Sequence, residues 1–200
     1  MYKMPSHELY KKEILMNNVR VLRPKEYRAL INGCPKTNYR TILQALLYSG
    51  MRYIELQRFQ KHPEWWDGDF IHLPRTAVKK DKRKQKERWV RLNQAGKMAI
   101  EYFLNQEVKV PSYQSWAENL KCWGRRGGIT TIGLSAKTTR KTYESWLMFY
   151  YPDFMPLILL SQGHDAVTAL QHYLNLPFTE DDRIIMKNYV GGWPPPRNPT

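Results

Sequence analysis

Helix-stopping residues recur along this chain and cut it into short segments whose apolar residues are spaced for helix, with one stretch that breaks the pattern. Pro24 opens a segment read as helix over residues 25–31, and Gly33 and Pro35 end it. Tyr39, Ile42, Leu43, Leu46 and Leu47 then repeat at helical spacing up to Gly50, a C-terminal stop. A short helix is expected over residues 53–59. Asn93 is placed to cap a helix carrying Met98, Ile100, Tyr102 and Phe103. Ser112 is placed to cap another with Trp116, Leu120 and Trp123, which Gly124, Gly127 and Gly128 break. A long helix over residues 137–150 stops at Pro152, two shorter ones follow over 154–160 and 166–174, and Thr179 caps a last one to about residue 189.

The exception is residues 69–92. Phe70, Ile71 and Leu73 precede a polar turn, and Trp89, Val90 and Leu92 follow it, the signature of a β-hairpin with a charged tip. The expected fold is therefore mainly α with a small antiparallel β-sheet (α+β), in one unit over residues 21–190. Residues 1–20 read as an N-terminal extension or linker remnant, and residues 191–200, with three consecutive prolines, as a flexible tail. A chain of 200 residues can bury a core without metal or disulfide staples, and Cys34 and Cys122 form no CxxC pair, which suits a reducing compartment. The longest apolar stretch, residues 154–160, is too short to span a membrane and contains Pro156. With no signal peptide visible in the first residues, a soluble cytoplasmic protein is expected.

Charge narrows the function. Thirty-two Lys and Arg against eighteen Asp and Glu leave +14, which favours a polyanionic partner. A solvated basic surface, or a ribosome-associated protein, would have the same balance.

Four segments carry residues suited to phosphate chemistry. In Tyr48-Ser-Gly-Met-Arg-Tyr-Ile-Glu55, Arg52 starts a helix and can present its planar fork to a phosphate, while Glu55 can hold it in place. The plainer reading of that pair is a surface Arg–Glu contact. In Lys79-Lys-Asp-Lys-Arg-Lys-Gln-Lys-Glu-Arg88, at the hairpin tip, Lys82, Arg83, Lys84, Lys86 and Arg88 can track a DNA backbone, though charge runs are usually solvated. A lysine there can also protonate an alkoxide leaving group; Lys80 or Lys79 is favoured, with several lysines competing. Lys137 and Arg140, three apart at the start of a helix, are expected to face the same way, where clustered cations destabilise unless an anion binds. In Gln162-Gly-His164-Asp, Gly163 permits a tight turn and Asp165 can cap the next helix, with Tyr173 nine residues beyond His164. Singly, a His or a Tyr is far more often a packed or surface residue. The chain has no P-loop, HExxH, Cys–His metal pattern, nucleophile elbow or dinucleotide fingerprint, so neither a metal nor another cofactor is expected.

In this order the four segments resemble the tyrosine recombinase (phage-integrase) family. Its pattern is an arginine in T/S-G-x-R-x-x-E, a hairpin lysine, an H-x-x-R box, a G-H box and a tyrosine nine residues past that histidine. The resemblance runs from about residue 21 to 189. Lys137 stands where the third box usually has histidine, which looks like the K-x-x-R variant of archaeal and archaeal-virus integrases, so the host would be a prokaryotic cell or a virus-infected archaeon. The resemblance implies a mainly α catalytic domain with a three-stranded sheet and DNA transesterification through a 3′-phosphotyrosine. Tyr173 would be nucleophile, Arg52, Arg140 and His164 would grip the phosphate, and a hairpin lysine would be general acid; Lys137 would accept or relay a proton. Its partner would be double-stranded DNA at a specific attachment or crossover site. The assembly on DNA would be a homo-tetramer, the free domain can be monomeric, and the last helix packs on a neighbour or on its own chain. Full-length members carry a further N-terminal DNA-clamping domain, which leaves a piece of a longer chain or a minimal recombinase. Two other readings use the same scaffold: a non-catalytic DNA-binding regulator, and a type IB topoisomerase-like relaxing enzyme.

Overall fold

The computed structural model describes residues 13–77, 87–106, 108–163 and 176–194. It begins with a hairpin, β1 (Ile14–Met16) and β2 (Val19–Val21), in antiparallel register with Ile14 opposite Val21. Asn17 and Asn18 turn it, both at positive φ, as a two-residue turn of the type that matches strand twist requires. Ile14, Met16 and Val19 are buried in the core and Leu15 points out, so the packed unit begins well before residue 21, where the sequence reading starts it. Three-residue strands around an Asn-Asn turn are too short to show a periodic signal.

Helices α1 (Pro24–Gly33), α2 (Thr37–Ser49) and α3 (Tyr53–Phe59) follow. A second hairpin pairs β3 (Phe70–Leu73) with β4 (Arg88–Arg91), Leu73 lying opposite Arg88. The three-stranded sheet implied by the resemblance is present among the described residues only as this ladder plus a single bridge from Trp66 to Ile71. Next come α4 (Gln94–Asn105), α5 (Tyr113–Arg126), α6 (Thr138–Tyr150), α7 (Met155–Gln162) and α8 (Glu180–Val190). The described residues are thus mainly helical with small antiparallel sheets. The expected caps form: Asn93 Oδ1 accepts from Gly96 N–H, Ser112 Oγ from Ser115 N–H and Thr179 Oγ1 from Asp182 N–H. Among the described residues no helix is long and apolar enough to cross a membrane.

Helix α6 is the axis of the fold. Ten of its thirteen residues are buried, including Thr142, Glu144, Ser145 and Arg140 beside Tyr143, Trp146 and Leu147. A helix covered on nearly all sides must satisfy its polar groups internally. Thr142 Oγ1 accepts from Leu22 N–H at 3.0 Å, and Trp146 Nε1 donates to Leu22 O at 2.9 Å, which fastens α6 to the chain leaving β2. The α6 helix also packs on α2, α7 and α8.

The chain end departs from the flexible tail expected over residues 191–200. Trp193 is fully buried and its Nε1 donates to Arg91 O at 3.1 Å. Asn93 Nδ2 donates to the carbonyls of Tyr189 and Gly191, so the residues after α8 close over the start of α4. Residues 195–200 lie outside those described.

Candidate functional site

Two helix ends meet at the site. Helix α2 ends at Gly50, whose φ of +60° and whose contact with the Gln162 side chain leave no room for a Cβ. Helix α7 ends at Gly163, also left-handed at φ +66°, where a Cβ would lie 2.9 Å from Arg88 Cδ. The turn at Gly50 brings the chain to Arg52, the cap residue of α3, in an extended conformation. Glu55, in the first turn of α3, accepts the Arg52 backbone N–H on Oε2 at 2.7 Å. That is half a capping box, since an arginine side chain has no acceptor to complete it.

Glu55 is the hub. Its Oε1 accepts Arg52 Nη1 at 2.8 Å and Arg88 Nη1 at 2.9 Å, and its Oε2 accepts Arg88 Nη2 at 2.7 Å as well as the Arg52 amide. The residue is fully buried with each oxygen receiving two donors. Burial opposes its ionisation, but Arg88, then Arg52 and Arg140, outweigh burial and hold the carboxyl well below the usual carboxylate range.

Arg140 comes from α6. Its Nη1 donates to Gly50 O at 2.7 Å and its Nη2 to Gln162 O, while Nη2 also pairs with Glu144 Oε1 at 2.9 Å. A guanidinium thus bridges the carbonyl ends of α2 and α7, where helix dipoles favour positive charge. Burial pushes its pKa down to about 10; Glu144 opposes that, and the charges of Arg52 and Arg88 add to it. It is therefore a cation at neutral pH. Lys141 Nζ stands 3.7 Å from Glu144 Oε2, and burial lowers its pKa, with Glu144 again opposing.

The structure therefore brings Arg52 and Arg140, from segments far apart in sequence, into one cluster with Glu55. Among the described residues four cations, Arg52, Arg88, Arg140 and Lys141, gather there with two carboxylates, Glu55 and Glu144. Arg52 has a side chain 26% exposed, against 4% for Arg88 and 6% for Arg140. Arg52 is thus the most solvent-accessible arginine of the cluster, with its Nη1 held by the buried Glu55 carboxylate.

One expectation needs correction. Arg88, read as a DNA-contacting residue of the hairpin tip, is buried in β4 and bound to Glu55. Lys137, the cap residue of α6, is exposed, whereas Arg140 is buried. Lys79, Lys80, Lys82, Arg83, Lys84, Lys86, His164 and Tyr173 lie outside the described residues.

Sequence reasoning missed Arg88 as a partner of Glu55, and also Glu144 and Lys141. A signal existed for Arg88. Strand alternation from Val90 and Leu92 puts Arg88 on the inward face, and the structure has Arg88 and Val90 in and Trp89 out. Glu144 follows Arg140 by one helical turn, a pairing the sequence permits without requiring. Among the described residues no group of three or more His, Cys, Asp and Glu is placed to hold a metal. Comparison with protein families, with characterised proteins and with solved structures finds no match to this chain.

Proposed function

We propose that the chain cuts and rejoins DNA as the catalytic domain of a tyrosine recombinase. One observation carries this reading: Arg52 and Arg140 meet around Glu55 where α2 and α7 end, at a turn whose next residue in sequence is His164. The motif order alone could arise by chance on a basic chain. That Arg52, with a quarter of its side chain open to solvent, also stands in one cluster with Arg140 supports the reading beyond the motif order.

In the proposed reaction the Tyr173 hydroxyl attacks a backbone phosphorus, forming a 3′-phosphotyrosyl bond and breaking the bond to the 5′-oxygen. The leaving oxygen takes a proton from Lys80 or Lys79, and energy kept in the phosphodiester allows rejoining without a nucleotide. Arg52 contacts the non-bridging oxygens, with His164 as a further donor, and Arg140 completes the clamp from behind. Each well-aimed donor of this kind is worth roughly 3–4 kcal/mol in the transition state. The Tyr173 phenol, with an ordinary pKa near 10, is helped toward its anion by these cations. Lys137, exposed at the cap of α6, is proposed to pass the phenol's proton on to solvent.

The test is a pool of nicked duplexes of randomised sequence, in which cleavage next to the nick releases a short fragment and traps protein on DNA. The parent protein should give an SDS-resistant adduct whose captured DNA shares a sequence, and Tyr173→Phe should give none. Equal adduct from both, or none from the parent under any condition, ends the catalytic reading. A DNA-binding protein without cleavage is the second reading. It is favoured by Arg88 and Arg140 directing donors at the protein itself, and it predicts salt-sensitive duplex binding with no adduct.

A further inference from the structure

Arg88 occupies an unusual position. It opens β4 on the inward face, opposite Leu73 and two residues before Val90, where a strand packed on a core ordinarily carries an apolar side chain. Its guanidinium instead makes a bidentate pair with Glu55 at 2.7 and 2.9 Å, and its Nε donates to Ser161 O at 3.2 Å. The side chain also runs against Gly163, where a Cβ would sit 2.9 Å from Arg88 Cδ. One buried residue of the hairpin thus touches α3 through Glu55 and the end of α7 through Ser161 and Gly163.

Glu55 in turn is what aims Arg52. Both oxygens of Glu55 are shared between the two arginines, so the carboxylate is held in plane by Arg88 and offers Arg52 a fixed acceptor for its backbone N–H and its Nη1. Without the fork of Arg88, the carboxylate could rotate about its last bond and Arg52 would follow it. A lysine in that place keeps the charge but not the two parallel donors.

We infer that Arg88 is a positioning residue for Arg52, acting through Glu55, so that the β3–β4 hairpin and the phosphate-binding arginine move as one piece. The inference rests on the proposed strand-transfer reading for its consequence, though not for its geometry. It makes hairpin placement a condition for a correctly aimed Arg52. The basic run that precedes β4 would then influence chemistry through Arg88 as well as through its own lysines.

The experiment uses the full chain with Arg88→Lys and Arg88→Gln, each checked for folding by circular dichroism; if the glutamine variant does not fold, the lysine variant carries the test. The first readout is the Arg52 Nε–Hε resonance in a nitrogen–proton NMR spectrum, assigned by its loss in Arg52→Lys. It should move and broaden in the Arg88 variants as Arg52 loses its fixed acceptor. The second is the rate of adduct formation on the captured nicked duplex, expected to fall about a hundredfold, as misaim of a clamp by a fraction of an ångström to an ångström does, with duplex Kd within about twofold. An unmoved Arg52 resonance in Arg88→Lys overturns the inference, as does a rate loss matched by an equal loss of affinity. If the parent forms no adduct, the strand-transfer reading falls while the NMR arm still decides whether Arg88 positions Arg52.

Discussion

Replacing Glu55 with glutamine tests the network at its centre. In the parent, Oε1 accepts from Arg52 Nη1 and Arg88 Nη1, and Oε2 from Arg52 N–H and Arg88 Nη2. A glutamine amide must place an NH2 at one of these two sites, and either orientation sets a donor against two donors. The variant also leaves two guanidinium groups without their shared carboxylate, one of them buried. Removing one partner of a buried ion pair destabilises by about 3–5 kcal/mol. For a chain of 200 residues this is a fall in Tm of roughly 6–20 °C, at about 2–4 °C per kcal/mol. The pH dependence gives a second check. The Glu55 carboxyl is held well below its ordinary range in the fold, so its contribution is fully present above the unfolded value, roughly 4.3, and fades as pH falls below that toward the folded value. Melting by calorimetry should therefore show a large gap between parent and Glu55→Gln at pH 7 that narrows below about pH 4. A gap under about 1 kcal/mol at pH 7 would refute the reasoning, because an exposed pair is worth no more than that. So would a gap that stays constant down to pH 3.

Substitutions at three further positions extend the test. Arg52→Ala should lower stability by only about 1–2 kcal/mol in urea melts, since Arg88 and the backbone amide of residue 52 still serve Glu55, yet abolish adduct formation; a stability loss as large as that of Glu55→Gln would contradict the assignment. Trp193→Ala should cost about 3–5 kcal/mol in the same melts by emptying a fully buried site, whereas a flexible tail would make it silent. Asn93→Ala should cost about 2 kcal/mol, from a lost cap and two lost bonds to the chain after α8, and Asn93→Ser, which restores only the cap, should recover part of it.

The helical part of the fold was legible because local chemistry and packing agree there. Gly50 ends α2 in a left-handed turn, Asn93, Ser112 and Thr179 cap the helices that follow them, and each of these signals needs only neighbours in sequence. Features made by distant contacts were not legible. Trp193 is a single aromatic before a proline run, with no period to reveal that it plugs the core beside Arg91. Arg20, in the hairpin taken for an extension, pairs with Glu26 and donates to Thr130, and nothing within residues 1–20 announces either partner. The polar face of α6 was hidden for the same reason: Thr142 and Glu144 look like surface residues until Leu22 and Arg140 are seen to require them.

At the site, several motif letters turn out to be one device. Arg140 donates to the carbonyl of Gly50 and to that of Gln162, immediately before Gly163, so the glycines of two boxes and the arginine of a third are joined by a single side chain. Those letters therefore count as one piece of evidence, and a structural need to neutralise two converging helix ends explains them without DNA. Arg52 is different. Arg88 supplies Glu55 with two donors from a buried side chain, whereas Arg52 reaches the same carboxylate with a quarter of its side chain open to solvent. Burial separates them: Arg88 and Arg140 are enclosed in the frame, and Arg52, under the proposed reading, is the one an incoming phosphate would reach. A proposal of phosphate chemistry rests on that presented arginine far more than on the two that the fold itself consumes.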